Sequence, residues 1–415
     1  MTYPAAWEQL LAIVAAGDAP PPAFPEDDWD DLLPLAQRHG LLALLYRRCC
    51  VDCPRPLPVR VEELIHQAYL RGTVLNTLAY NQLGTLLRAM NESGIPAIVL
   101  KGACLAEVVY GDVAVRPMSD LDLLVRPEDL PRIDDLSRSL GYIRPDGDVS
   151  KLADTESHHH FPVFKLSNGL PLEWHWTISH QDRHGVSIAE TEIEALWSRS
   201  VSVTVAGVGT RMLNPEDLLL HQCLHLANNH LFAWGGLKGL IDISLILEKN
   251  GAQLDFGVIE RRAQAWGSWR GVALALSLTH NWLGAPLPEA VTCRVQAALP
   301  TDDVIEWIRE KMRQLAPASM DGAGPTLPAN ARWQEIPAMI LRNLLPPPAT
   351  MARLYNRPAR SRRIYFDYPG QIAAVIRKGG TLAYRLVGGD REKHVVAVRE
   401  AALRRWLREE PNERC

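Results

Sequence analysis

The sequence predicts an α+β protein, a small mixed β-sheet core flanked by helical segments at both ends. Three observations carry that expectation. Apolar residues recur at three- and four-residue intervals through most of the first 94 positions. Short β-branched or alternating runs interleave with helical ones only between about Ile95 and Val205. Helical periodicity then returns as far as about Leu315. The boundaries expected from these changes are 1–94, 95–205, 206–315 and 316–415.

In the entry segment, "WDDLLPLAQRHGLLALLYRRC" and "VRVEELIHQAYLRGTVLNTLAYNQLGTLLRAMNESG" hold the helical period until Gly94 stops it. The core opens with "IPAIVLKG", a strand-like run ending in Lys101-Gly102. "ACLAEVVYG" follows as a helix of one to two turns, closed by Tyr110 and Gly111, and "DLDLLV" is a second strand. "RPEDLPRIDDLSRSLGY" reads as a helix with acids in its first turn and Gly141 at its end. "HHHFPVFKL" and "LPLEWHWTI" flank the turn residues "SNG", the pattern of an antiparallel hairpin, with Trp174 and Trp176 alternating towards a core. Asn214 before Pro215 and Glu216 is a capped helix start. "APASMDGAGPTLPANA" is the best linker, and a basic helical extension follows it.

At 415 residues and 47% hydrophobic, the chain has material for two or three packed units. A net charge of −4 does not indicate nucleic acid as a partner. The stretch from Met351 to Cys415 holds 15 Lys/Arg against 7 Asp/Glu, and it is expected to pack on the more acidic body. The N-terminal "MTYPAAWEQLLAIVAAGDAP" lacks the pattern of a secretion signal. No window approaches the roughly 18–20 apolar residues that span a bilayer. With seven mostly scattered cysteines, the expectation is a soluble cytoplasmic protein. Cys49, Cys50 and Cys53 have no second ligand pair at finger spacing, so no metal is expected there.

The chemistry is read from "RPMSDLDLLV". In a strand, Asp120 and Asp122 project to one side while Leu121 and Leu123 face the other. Two converging carboxylates are costly unless a cation lies between them, and Mg²⁺ or Mn²⁺ is the usual solution where phosphates are handled. Upstream, Lys101-Gly102 stands where a strand turns into a helix, a place to hold a triphosphate. Downstream, Glu173 is an acid within an otherwise apolar strand and shares its face with His175. If the two strands are neighbours, Glu173 is a third carboxylate on the same cation site, enough for two metal ions. Arg116 is close enough to the acid pair to reach a phosphate or to neutralise Asp120 or Asp112.

Other residues read as structural. His221 and His225, with His230 beyond, share a helical face but lack a third zinc ligand, so they are read as packed between layers. Asp242 is an acid in an apolar helix, facing either the cleft or a buried polar network. His158–His160 begins a strand and is read as a loop edge rather than a ligand cluster.

"IVLKGACLAEVVYGDVAVRPMSDLDLLV", the helix ending "LGY", then "LEWHW", "NPEDLLLHQCLHL" and "GLIDISLIL" together resemble the bacterial uncharacterised nucleotidyltransferase family of the polymerase-β-like superfamily. The resemblance runs from about Leu41 to Leu247. It implies a nucleotidyltransferase core over 95–205, with the superfamily's metal pair on Asp120 and Asp122 and its third carboxylate on Glu173. The superfamily's Gly-Ser element is represented by Lys101-Gly102, which departs from it. The implied activity moves an NMP from an NTP to an acceptor hydroxyl and releases pyrophosphate. The acceptor is open: a small molecule, sugar, peptide, protein or RNA end. Two rivals stand beside this reading, a metal-dependent glycosyltransferase using the D-x-D and a non-catalytic nucleotide-binding module.

Overall fold

The computed structural model describes residues 4–17, 20, 22, 24–144, 160–179, 186–233, 236–314, 351, 365–366, 368–370 and 391–408. Among the described residues the entry segment is built of α1 (Pro4–Val14), α2 (Asp28–Arg38), α3 (Leu42–Tyr46) continued by a π-helical turn (Arg47–Asp52), and α4 (Val59–Glu92). No proline interrupts the helical period of α4 along its 34 residues. It stops just before Gly94, whose φ of 62° lets the chain turn away. At two places the helix is approached closely by the core. A Cβ on Gly72 would lie 2.3 Å from the Ala114 carbonyl oxygen, and one on Gly84 3.0 Å from that of Ala206.

The core contains β1 (Ile98–Val99), α5 (Lys101–Cys104) continued by a π-helical turn (Leu105–Val109), β2 (Leu121–Leu124), α6 (Leu130–Ser139), β3 (Leu172–His175), α7 (Glu190–Arg199), β4 (Val201–Val205) and β5 (Val208–Met212). The strands lie in the order β3-β2-β1-β5-β4. β1 is antiparallel to β2 and parallel to β5, while β2 and β3 run parallel with Asp122 opposite Glu173 and Leu124 opposite His175. The expected hairpin is present as antiparallel bridges from Phe164 to Leu172 and from His160 to His175. His158 and His159 lie outside the described residues. Alternation along β3 buries Leu172 and Trp174 completely, and Trp176 beyond the strand is also buried.

The sheet continues past the expected boundary at Val205. β4 and β5 form a hairpin in which Val205 pairs with Val208, and the two turn residues Ala206 and Gly207 both have positive φ, 54° and 70°. That is the turn that matches strand twist, though alanine rarely adopts it. The Glu107 carboxylate compensates by accepting a hydrogen bond from the Ala206 N–H at 2.9 Å.

Helices follow: α8 (Pro215–Leu224) with a π-helical turn (His225–Asn229), α9 (Gly236–Asn250), α10 (Phe256–Ala265), α11 (Trp269–Leu283), α12 (Glu289–Ala297), α13 (Asp302–Arg313) and α14 (Arg391–Arg408). Asn214 caps α8 by accepting from the Asp217 N–H at 3.1 Å. The fully buried Asp217 carboxylate accepts from Arg199 and Arg262, each at 2.8 Å, tying α7 and α10 to α8. α8, α9 and α11 pack on one another. The chain divides into two compact units, Met1–Leu315 with Trp406–Cys415, and Ala316–Arg405. The proposed linker and most of the basic extension lie outside the described residues. Among the described residues no helix is long and apolar enough to cross a membrane.

Candidate active site

Parallel pairing of β2 and β3 brings the acids together. Asp122 is 2% exposed, and its Oδ1 accepts from Lys101 Nζ at 2.7 Å while His175 Nε2 lies 2.8 Å from the same oxygen. Glu173 is half-buried, with Oε2 3.5 Å from His175 Nε2. One ligand atom from each of Asp122, Glu173 and His175 lies within 4.8 Å of the others. Asp120 is half-buried just before β2 and accepts from Ser119 Oγ at 3.1 Å.

The charges are unevenly balanced. Burial disfavours the charge of Asp122, but the Lys101 ammonium and the hydrogen bond with His175 outweigh it and hold the carboxyl well below its usual range. Burial also acts against Glu173, and the hydrogen bond with His175 keeps it below its usual value. Asp120 moves the other way: burial and the Asp122 charge raise it. Burial opposes the Lys101 charge, while Asp122, Glu173 and Asp120 raise its pKa. Three carboxylates thus share one ammonium.

That balance fits a divalent cation. Asp120, Asp122 and Glu173 are hard oxygen donors of the kind Mg²⁺ and Mn²⁺ take, and the imidazole beside them suits Mn²⁺ as well. Among the described residues, the one group of three whose ligand atoms lie close together is Asp122, Glu173 and His175; Asp120 is not part of it. Cys49 Sγ accepts from Arg55 Nη2 at 3.3 Å.

Lys101 begins α5 directly after the extended Leu100, with φ of 43°, a left-handed conformation costing about 1 kcal/mol for a residue other than glycine. Strand gives way to helix within one residue there, which aims Nζ back at β2. Gly102 is needed for space: a Cβ on it would lie 2.6 Å from Arg116 Nη1.

Arg116 is held elsewhere than the sequence suggests. Its Nε and Nη2 donate to Asp242 Oδ1 and Oδ2 at 2.8 and 2.7 Å, and Tyr110 donates its hydroxyl proton to Oδ1 at 2.7 Å. All three side chains are buried. The fork that would grip a phosphate is filled by a carboxylate from α9, so Asp242 belongs to a buried polar network. Tyr110 therefore does more than close its helix. α4 supports the same loop, Asn76 donating to the Arg116 carbonyl at 2.9 Å. It also holds the entrance to β3, where Gln82 both donates to and accepts from the Leu170 backbone at 2.9 Å.

His175 is the residue that sequence reasoning left at the margin. Its signal was the shared face with Glu173; the contact with Asp122 needed the strand pairing. His221 is 1% exposed, and its Nδ1 has no hydrogen-bond partner among the described residues. Burial pushes it down to about 3, with the charges of Lys101 and His175 adding to the effect, so it is neutral beside the cluster. His225 and His230 lie with Nε2 atoms 3.0 Å apart.

The sequence defines a transferase of the nucleotidyl class. Residues 25–284, more than half of the chain, match the family described as "Uncharacterised nucleotidyltransferase", and the chain belongs to it. Membership sets aside the glycosyltransferase reading. Two solved structures are similar at low identity. The solution structure of the antibiotic-resistance factor ANT(2″)-Ia is 17% identical, covering 50% of this chain and 98% of that one, with a TM-score of 0.33. The crystal structure of ANT(2″)-Ia in complex with adenylyl-2″-tobramycin is 15% identical over 45% of this chain and 95% of that one, also with a TM-score of 0.33. No curated protein matches.

Proposed function

We propose that this cytoplasmic enzyme transfers a nucleoside monophosphate from an NTP to an acceptor hydroxyl. The observation that carries the reading is the register of β2 on β3, which sets Asp122 opposite Glu173 and gathers surplus negative charge at one end of the sheet. Asp120, Asp122 and Glu173 are the residues that would hold Mg²⁺ or Mn²⁺. Such ions neutralise phosphate charge and lower the pKa of the attacking hydroxyl when bound.

The hydroxyl oxygen attacks the α-phosphorus, the bond to the bridging oxygen breaks, and pyrophosphate leaves with the electron pair. The hydroxyl proton passes to Glu173, which is ionised at neutral pH and lies against His175. Lys101 occupies the place of a cation on Asp122; released from it, Lys101 and Gly102 serve the triphosphate. Arg116 supports the loop. We read the helical segment 206–315 as the wall that selects the acceptor.

Titration calorimetry with Mn²⁺ tests the site. The wild-type protein is expected to bind the ion and the Asp120→Asn, Asp122→Asn protein to lose most of that affinity; equal affinities would remove the metal site. Incubation of cell extract with α-labelled NTPs should then give adducts one nucleotide heavier.

A further inference from the structure

The three side chains whose donor atoms already lie close together are not the three acids. They are Asp122, Glu173 and His175, and among the described residues Asp120 stands outside the group. The pleat explains the grouping. Glu173 and His175 are two residues apart on β3 and emerge on one face, while parallel pairing sets Asp122 opposite Glu173.

The separations are those of ligands on one ion. His175 Nε2 lies 2.8 Å from Asp122 Oδ1 and 3.5 Å from Glu173 Oε2. Neighbouring ligands on an octahedral ion with bonds of about 2.1 Å lie about 3 Å apart. The imidazole is 1% exposed, so packing fixes its direction. As a hydrogen-bond donor alone, His175 would be the second on a single oxygen, because Lys101 Nζ reaches the same Oδ1 at 2.7 Å. A cation that displaces Lys101 from that oxygen meets the imidazole beside it. His160 has its ring centroid 5.3 Å from that of His175 but is not in the group, and its Nδ1 lies 2.6 Å from the Phe161 carbonyl oxygen.

We infer that His175 is a direct metal ligand of the active site and biases it towards Mn²⁺ over Mg²⁺. The inference rests on the metal site of the nucleotidyltransferase reading above. Mg²⁺ favours oxygen and gives up water reluctantly, whereas imidazole nitrogen suits first-row transition ions, of which Mn²⁺ also takes carboxylates. In this role Nε2 carries the lone pair and Nδ1 the proton. His175 thereby selects the ion that meets the nucleotide phosphates.

Pulsed electron paramagnetic resonance of Mn²⁺ bound to the protein tests this, with calorimetry for Mn²⁺ and Mg²⁺ beside it. The wild-type protein is expected to show coupling from a directly bound nitrogen that changes when its histidines are isotopically labelled. His175→Gln keeps a hydrogen-bonding group and removes the ring nitrogen. It is expected to lose the coupling and to weaken Mn²⁺ binding about tenfold to a hundredfold, at least the range for groups that only support a ligand, while Mg²⁺ affinity changes little. Bound Mn²⁺ without nitrogen coupling in the wild-type protein overturns the inference and leaves the carboxylate site standing. Coupling that persists in His175→Gln, or an unchanged ratio of the two affinities, overturns it as well. Should His175→Gln fail to fold, His160→Gln decides: retained coupling supports His175, and lost coupling moves the ligand to His160. If the wild-type protein binds neither ion, the inference and the metal site on which it rests fall together.

Discussion

The core buries two sets of charge that differ in how they are balanced. Around Asp242, one guanidinium meets one carboxylate through two hydrogen bonds, and a tyrosine hydroxyl supplies a third. Around Asp122, the carboxylates of Asp120, Asp122 and Glu173 share the ammonium of Lys101. The first set is complete in itself. Burial opposes the Arg116 charge, but Asp242 outweighs it and raises the arginine pKa further. The second has surplus negative charge, and Asp120 registers it as a raised pKa. A closed pair specifies a shape, whereas an open cluster favours a cation that the chain itself does not supply.

The comparison is tested most severely at Asp122. Asp122→Asn is expected to lower transfer by roughly a thousandfold or more, in the range of metal-ligand and acid-base losses. It should also cost about 3 kcal/mol of stability, because Lys101 is left buried without its partner. Single-turnover kinetics and urea midpoints give the two numbers. A stable, active variant would mean that the open cluster is ordinary surface charge.

Asp242→Asn should show the reverse profile. About 3 kcal/mol of stability goes with the Arg116 pair, while the folded fraction keeps most of its turnover. Full stability with lost turnover would move the arginine into the reaction and dissolve the contrast.

For Glu173→Gln the expected loss of transfer is about a hundredfold, with nucleotide affinity retained through Asp120 and Asp122. Full transfer activity in this variant would shift the base to His175, which lies 3.5 Å from the Glu173 carboxylate.

The smallest effect is expected from Asp120→Asn in chelator. Folding raises the Asp120 pKa, so its ionisation costs stability once pH rises above the unfolded carboxylate value. Removing that charge should raise Tm at pH 7, on the order of a degree, and the gain should fade as pH falls towards 4. A Tm lowered equally at both pH values would show that Asp120 is already compensated. Neutralising Asp120 and neutralising Asp122 are thus opposite operations on stability, although both residues lie in one three-residue motif.

Much of the fold was legible locally. The period of α4, its stop before Gly94, the cap at Asn214 and the alternation that buries Trp174 opposite Glu173 all follow from backbone geometry acting over a few residues. The β4–β5 hairpin was harder to read because its turn uses Ala206 where asparagine or glycine would be the signal, and the hydrogen bond that offsets the cost comes from Glu107 in another element.

By itself, then, the sequence determined which residues can present charge on which face of which element: Asp120 and Asp122 before and within β2, Glu173 with His175 on β3, and Lys101 at a strand-to-helix turn. Tertiary structure alone decided how those charges are paired. Asp242 lies 126 residues from Arg116 and closes its fork, and Lys101 is turned back onto Asp122. The reason is physical. A side chain's direction is set by φ, ψ and the local repeat, which neighbours in sequence specify, while neutralisation depends on distance through space, and distance is known only once the sheet and the helices have packed.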